Sequence, residues 1–465
     1  MKNLLIHNAR LVDSKIDSFG SVLISDGKIK SVIIEENNPC ETNDFLKSVP
    51  DAEIFDAKGL TLMPSFIDMH AHFRYPGQTQ KEDLDSGLNA ATAGGFGTLV
   101  LMPNTMPVVS DSALAEKIMA EAQERNLARI FQTVSITKDF EGTDTSAIET
   151  LSREKTPVIS EDGHDVLSTA VMLDGMKKAG EKGIIVACHC EDVTLAQAAR
   201  PYRQKALALM KENDIPAGKI TYKTDNVPES VNLEIDSNLS KANELLALAE
   251  DAATERNIEI AKLAACHVHI CHCSTKISMD AVRRAKSDIS QGITKPGFRC
   301  TVEVTPHHLS LTGTTAPYIR ALVNPPLRNE ADRRAVIEAL RDGTADCIGT
   351  DHAPHTLSDK AAGSPGFTGL ETAFATCNTV LCKEEGFSIS RLSELMSDNA
   401  AKILGIKSGR LLPGYNADLV LVDQNESMTV TPSEFKSKGK STPIEGKTLT
   451  GRVKATFFGG ARVFG

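Results

Sequence analysis

Apolar residues through the middle of this chain gather into short runs, each followed by a few polar residues and a turn. The first runs from Leu60 to Ile67 and leads into Asp68, His70 and His72; later ones end at Glu161 and Asp162, at His189, at His272, and at Asp351 beside His352. Short apolar runs bounded by turn residues read as strands buried on both faces. Eight are predicted, over 60–72, 98–103, 130–136, 157–161, 184–189, 268–272, 300–305 and 346–350. Between them lie stretches with helical spacing, such as 110–125 and 331–341, so strand and helix alternate. Eight parallel strands with helical crossovers describe an α/β fold, the (β/α)8 TIM-type barrel, whose chemistry sits at the C-terminal ends of the strands. A doubly wound open sheet is the structural competitor, but it does not naturally bring side chains from its first and last strands to one point.

The two ends of the chain carry strand-like runs broken by turns, over residues 1–57 and 410–465. Neither end can bury a core alone. They are expected to pair into one small discontinuous β-sandwich domain flanking a barrel of residues 58–409. The stretch from Arg200 to Leu239, with scattered charges, Pro216, Gly218 and Pro228, has little periodicity. It predicts a long helix and a surface loop after the fifth strand and carries no functional expectation.

The chemistry begins at His70 and His72. On a strand these two side chains share a face, about 6 to 7 Å apart along the backbone. Neutral imidazole is a common ligand for zinc and similar cations, and two on a rigid strand end lose little entropy when the ion arrives. Cys188 and Cys190 flank His189, and Cys271 and Cys273 flank His272. By the same alternation, histidines facing the site put these cysteines against the helices. His269, three residues before His272, is expected to pack or support rather than ligate, as are His307 and His308; His164 reads as an ordinary loop residue.

Composition narrows the possibilities. Of 465 residues 41% are hydrophobic, the mean hydropathy is -0.17, and no run approaches the roughly 20 apolar residues of a membrane span. The N-terminus lacks the apolar stretch and cleavage site of a signal peptide, so the expected location is cytoplasmic. Ten cysteines, several within apolar runs, fit buried thiols in a reducing compartment. A net charge of -10 argues against nucleic acid as a partner. An anionic small substrate would need local cations in its pocket.

Several ordered motifs then name a family. The segments Asp68 to Gly77, Gly94 to Pro107, Glu303 to Leu309, Val323 to Arg328, Thr350 to Pro354, Gly363 to Thr372 and Ser441 to Gly446 resemble the amidohydrolase superfamily and, more narrowly, the longer class I type of dihydroorotase. The resemblance covers essentially the whole chain. It implies reversible hydrolysis of the cyclic amide L-dihydroorotate to N-carbamoyl-L-aspartate in pyrimidine biosynthesis, with one or two zinc ions per subunit. By motif, His70, His72 and Asp351 would hold the first ion and His189 and His272 a second, with Asp162, rather than its neighbour Glu161, bridging them. Hydantoinases and dihydropyrimidinases usually place a carboxylated lysine as the bridge, and no lysine lies at that turn. The resemblance also implies a homo-oligomer and association with aspartate transcarbamoylase. Two positions depart from the family pattern: Tyr75 stands where Glu is common, near the substrate loop, and the segment Asp398 to Ala401 has Ala where Pro is usual after the Asn.

Amide carbonyls are poor electrophiles and neutral water a poor nucleophile; a divalent metal polarises the first and lowers the pKa of bound water from 15.7 to roughly 7. Asp351 is the expected catalytic residue, taking the proton of the attacking water and passing it to the departing ring nitrogen. Arg74 would supply the guanidinium fork for the substrate carboxylate, with Asn104, Asn324 and His355 as further substrate contacts. The competing readings are a sister amidase acting on hydantoin, dihydropyrimidine or allantoin, a non-catalytic subunit that scaffolds a transcarbamoylase, and a structural-metal protein. All six ligand positions are filled, which opposes the scaffold; the dispersed ligands oppose a closed structural site.

Overall fold

The computed structural model describes residues 3–34, 52–213, 227–315 and 318–465; parts of the 1–57 and 200–239 segments therefore lie outside the described residues. Eight short strands run parallel through its centre: β6 (Phe66–Ala71), β7 (Phe96–Leu101), β8 (Arg129–Gln132), β9 (Val158–Ser160), β10 (Ile185–Cys188), β11 (His267–Ile270), β12 (Arg299–Val304) and β13 (Cys347–Ile348). Preceding them are β1 (Leu4–Val12), β2 (Asp17–Ser25), β3 (Lys28–Ile34), β4 (Glu53–Asp56) and β5 (Thr61–Pro64); β14 (Leu419–Thr429), β15 (Thr448–Phe458) and β16 (Ala461–Phe464) follow.

Strands β6 to β8 form one sheet and β9 to β13 another, each in sequence order. Parallel bridges join them at both seams, Val134 with Ile159 and Ala71 with His352. At the second seam the His72 amide donates to the His352 carbonyl and the Asp351 amide to the His70 carbonyl, so the first and last strands meet where the candidate ligands lie.

The strands bury both faces, which is why they read as unbroken apolar runs. One set of side chains, including Leu99, Ile130, Val186, Val268 and Val302, packs against Leu88, Ile118, Met176, Val282 and Ile337 of the helices. The other, including Ile67, Val100, Val158, Ile185 and Cys347, packs strand on strand and is plugged at one end by Ala400, Ala401, Ile403 and Leu404. Alanine where proline is usual thus lies in this plug, away from the candidate ligands.

The crossovers are α1 (Leu84–Ala93), α2 (Ser112–Arg125), α3 (Thr169–Glu181), the pair α4 (Val193–Glu212) and α5 (Glu229–Ala264), α6 (Lys276–Ser290) and α7 (Glu330–Asp342). Their starts are fixed by short polar side chains accepting from exposed backbone amides: Asp111 from Leu114, Ser168 from Val171, Asn329 from Asp332. Between β8 and β9 only 3-10 turns occur. The described residues of the stretch after the fifth strand form two helices, α4 and α5, where one long helix was expected. Helix α5 has 36 residues, about 54 Å of helix, and with α4 encloses Ala206, Met210, Ile235 and Leu239.

The predicted strand over 60–72 is two strands. Strand β5 pairs with β1 and β14, whereas β6 pairs with β7. The switch falls at Ser65, whose amide donates to Asp418 in the C-terminal segment, while the next amide, of Phe66, donates to Gly95 beside β7. Through β5, strands from both termini share one eight-stranded sheet, ordered β16-β15-β14-β5-β1-β2-β3 with β4 on β1. Its apolar face buries Ile6, Leu11, Val22, Ile24, Leu62, Leu419, Leu421 and Phe457.

Candidate metal centre and substrate pocket

Strand ends deliver the polar side chains, and the backbone there is unusual. Arg74, His272 and Asp351 all have positive φ, at 55°, 34° and 47°. Side chains other than glycine seldom adopt this region, and such conformations concentrate where function over-determines them. Asp68 helps to hold the seam: it accepts from the amide and hydroxyl of Thr350, at 2.8 and 2.5 Å, and from the His70 amide at 3.1 Å.

Asp162 sits at the middle of the ligand set. Its Oδ1 lies 3.3 Å from His70 Nε2, 3.4 Å from His189 Nδ1 and 3.9 Å from His272 Nε2, and its Oδ2 lies 3.6 Å from His72 Nε2. Asp351 Oδ1 is 3.3 Å from His72 Nε2 and 3.8 Å from His70 Nε2. All six residues are buried. The structure therefore brings together every ligand expected from sequence. Glu161 points elsewhere, to the amide and hydroxyl of Thr137.

Hydrogen bonds on the outer ring nitrogens fix which nitrogens face inward as lone pairs. A carboxylate only accepts, so His70 Nδ1 donates to Glu303 at 3.0 Å and His189 Nε2 donates to Glu191 at 3.2 Å. Asn104 Nδ2 donates to Asp162 Oδ2 at 2.9 Å, which turns its oxygen toward His72 Nδ1, also at 2.9 Å. The remaining nitrogens of His70 and His72 then face each other at 3.2 Å, and His189 Nδ1 lies 2.9 Å from His272 Nε2. Asp162 Oδ1, buried between them, has no hydrogen-bond partner among the described residues. Converging lone pairs and an orphaned carboxylate oxygen repel one another, and a cation resolves the conflict. The donor set fits two ions sharing Asp162: one among His70, His72, Asp162 and Asp351, the other among Asp162, His189 and His272.

Protonation follows the same crowding. Burial disfavours charge on Asp162 and on the four histidines. Without a cation, a proton takes its place: the surrounding imidazoles hold Asp162 well below the usual carboxylate range, and Asp162 raises His70 well above its ordinary value. Burial and the neighbouring His189 and His70 push His272 well down. Such opposed shifts within one cavity mark a functional site.

Glu303 was not legible as a site residue from the sequence, although it begins the family segment Glu303 to Leu309. It accepts from His70, from His269 Nε2 at 3.3 Å and from the His272 amide at 3.3 Å. Behind it, His269 Nδ1 meets Thr301 Oγ1 at 2.8 Å, and His267 reaches the same hydroxyl at 2.9 Å. His269 thus bonds the carboxylate that holds His70, the contact expected of a supporting residue. His308 does likewise, bonding Thr305 and the Pro325 carbonyl. Cys271 departs from expectation. Cys188, Cys190 and Cys273 pack on the helix side, but Cys271 lies in the strand-on-strand core beside His70 and Glu303. Strand β11 ends at Ile270 and His272 has positive φ, so the alternation assumed for the flanking cysteines does not extend through them.

A cavity of about 280 Å³ opens above the ligands, lined by His72, Arg74, Asn104, Asn324, Asp351 and His355 among others. That is near the lower end of small-molecule sites, roughly 300 Å³. Arg74 is buried, with Nε donating to the Pro354 carbonyl and Nη2 to His355 Nε2, both at 3.3 Å; among the described residues no hydrogen bond occupies its Nη1. His355 is held neutral: burial and the charge of Arg74 depress it to about 3. Asn104 lines the cavity, yet both ends of its amide are engaged by His72 and Asp162. Tyr75, the unusual residue in the substrate-loop motif, turns its hydroxyl to Glu121 on α2 at 2.6 Å and does not line the cavity.

Residues 61–463 match the amidohydrolase family. The chain is 37% identical over 458 residues to a dihydroorotase of Clostridium botulinum (98% of each chain) and 36% identical over 467 residues to one of Elusimicrobium minutum (98% of this chain, 96% of the other). Among solved structures it resembles the L-hydantoinase of Arthrobacter aurescens, with a TM-score of 0.78 at 23% identity over 99% of this chain and 96% of that one. The dihydropyrimidinase of Brevibacillus agri gives 0.75 at 20% identity, covering 99% and 95%. At such identities these structures speak for the fold alone. No described helix is long and apolar enough to cross a membrane. With a family match over most of its length and full-length relatives above 30% identity, the chain belongs to the amidohydrolase family and groups within it with the dihydroorotases.

Proposed function

We propose that this protein is a dihydroorotase, interconverting L-dihydroorotate and N-carbamoyl-L-aspartate in pyrimidine biosynthesis. The observation that carries the reading is the conjunction, in one 280 Å³ cavity, of a carboxylate-bridged histidine cluster with a buried arginine. Full-length relatives named dihydroorotase support it. The bridging position holds Asp162 rather than a carboxylated lysine, which favours dihydroorotase over the hydantoinases that share the fold.

The metal is proposed to be zinc, one or two ions per subunit, held by His70, His72, Asp162, His189, His272 and Asp351; when bound it polarises the scissile carbonyl and acidifies the attacking water. Asp351 accepts that water's proton and delivers it to the departing ring nitrogen; in the biosynthetic direction the same carboxylate returns it. Arg74 takes the substrate carboxylate, with His355 holding the guanidinium in place and sharing the pocket with Asn104 and Asn324. Asn104 also keeps His72 and Asp162 oriented.

The architecture proposed around this site is a closed (β/α)8 barrel over residues 58–409 and a composite β domain from 1–57 and 410–465. The two seam bridges support closure, and the shared terminal sheet supports the composite domain, with β5 as the strand common to both segments. We further propose a cytoplasmic homo-oligomer associated with aspartate transcarbamoylase. The deciding experiment measures bound metal and turnover in both directions, with hydantoin and dihydrouracil as controls. Turnover of the dihydroorotate pair alone, lost on chelation and restored by zinc, is expected. Metal-loaded protein that leaves dihydroorotate untouched would overturn the reading.

A further inference from the structure

The pocket has a wall that no motif reading assigned. Helix α4 borders a second cavity of about 520 Å³, which shares His189, Asn324 and Pro365 with the smaller one above the ligands. From this helix Arg203 reaches across the boundary, and its Nη1 donates to Asn324 Oδ1 at 2.7 Å. The same guanidinium also interacts with the Tyr318 hydroxyl. Its Nε and Nη2 are buried and have no hydrogen-bond partner among the described residues. A buried, unsatisfied donor is destabilising and rare in native proteins. Its place at this boundary calls for a reason beyond its contact with Tyr318.

The bond to Asn324 supplies one. Guanidinium has only donors, so it fixes which way the carboxamide faces: oxygen toward α4, leaving Nδ2 as the free end. Among the described residues no protein acceptor is bonded to that Nδ2. The backbone beyond is secured separately, since His308 Nε2 donates to the Pro325 carbonyl at 3.2 Å. Asn324 therefore offers the pocket a donor and cannot turn to offer an acceptor. A cyclic amide or its ureido product presents carbonyl oxygens, which need that donor.

We propose that Arg203 is a positioning residue for substrate recognition, locking the Asn324 carboxamide with its NH2 toward a carbonyl oxygen of the bound ring. It ties substrate affinity to the α4–α5 arm, the part of the chain whose sequence carried no functional pattern. This rests on the reading that the cavity binds a cyclic amide.

The test compares wild type with Arg203→Met, Arg203→Lys, Asn324→Ala and the Arg203→Met/Asn324→Ala double variant. Loss of one oriented hydrogen bond predicts a KM for L-dihydroorotate raised about tenfold in Arg203→Met, with the loss falling on KM rather than kcat. Its unfolding temperature should stay close to that of wild type, because the loss of the Tyr318 contact is offset by the removal of poorly satisfied buried donors. Arg203→Lys should recover part of the affinity, and the double variant should be no worse than Asn324→Ala, because the two residues act through one contact. A lower unfolding temperature with equal losses in kcat and KM, or additive effects in the double variant, would make Arg203 merely structural and overturn the proposal. A wild type inactive on L-dihydroorotate overturns the proposed function instead. In that case a crystal structure of Arg203→Met decides: a turned Asn324 carboxamide supports the assignment and an unchanged one overturns it.

Discussion

His70 Nδ1 donates to Glu303 Oε1 at 3.0 Å, and both side chains are fully buried. This single bond decides that His70 presents Nε2 to the metal centre, and it raises the basicity of that nitrogen. Glu303 can do so because it stays ionised: burial opposes its charge, yet His269 and His70 hold its carboxyl at about 2. Replacing it by Gln keeps the volume but weakens the acceptor and lets the ring turn. Such supporting partners typically contribute 10- to 100-fold in metal affinity. Competitive zinc titration of Glu303→Gln should show a loss in roughly that range. Wild-type affinity in that variant would mean the ring is held by packing alone.

Asp351→Asn separates chemistry from backbone. Asp351 sits at φ 47°, a region that Asn tolerates and Ala does not. The variant should fold with an unchanged unfolding temperature when metal-free, yet lose at least about 100-fold in kcat, the usual contribution of a positioned acid-base group. Substantial retained turnover would remove Asp351 from the proton path.

What the sequence disclosed, and what it hid, divides along a physical line. His70 and His72 were legible because alternation at a strand end puts them on one face; the other four ligands were legible only through the family motifs at the ends of apolar runs, and all six converge. The two-strand split at Ser65 was hidden because Leu62 and Met63 are as apolar as Ile67, and nothing local says that β5 pairs with the far terminus. Cys271 escaped because the rule of two ends where the strand ends, one residue earlier. Glu303 and Arg203 escaped for a different reason: each acts through a partner 233 or 121 residues distant, and no spacing encodes a contact made by the fold.

Arg74, as the proposed carboxylate ligand, should distinguish dihydroorotate from its uncharged analogues. A guanidinium fork to a carboxylate is charge-assisted and planar, and Lys at the same position offers a single point charge on a more flexible stem. Hydrogen bonds to charged groups contribute about 1.5 to 3 kcal/mol, so Arg74→Lys should raise the KM for L-dihydroorotate by roughly 10- to 100-fold. Any residual activity on dihydrouracil, which lacks the carboxylate, should be unaffected. Equal losses on both substrates would assign Arg74 to folding of the loop instead of to the carboxylate.

Lys360 controls the far wall of the pocket, and its charge makes that wall pH-dependent. Its Nζ donates to the carbonyls of Leu322, Ser364 and Gly366 at 3.1, 2.9 and 2.8 Å, pinning the segment whose Pro365 and Gly366 line the cavity. Burial lowers the ammonium from 10.5 to about 7. Below pH 7 the group is charged in folded and unfolded chains alike, and the full penalty of burying it counts against the folded state. Between 7 and 10.5 the unfolded chain holds more protons than the folded one, so the penalty recedes as pH rises. Lys360→Met carries no such penalty but loses the three bonds. Urea unfolding of both proteins from about pH 6 to pH 10 should therefore show the difference moving in favour of the wild type with rising pH. The KM of the variant should be several-fold higher below pH 7, with a smaller difference above it, where the neutral amine keeps only two donors for the three carbonyls. A difference independent of pH would mean that the three carbonyls fully compensate the buried charge, leaving Lys360 an ordinary ammonium with its usual pKa.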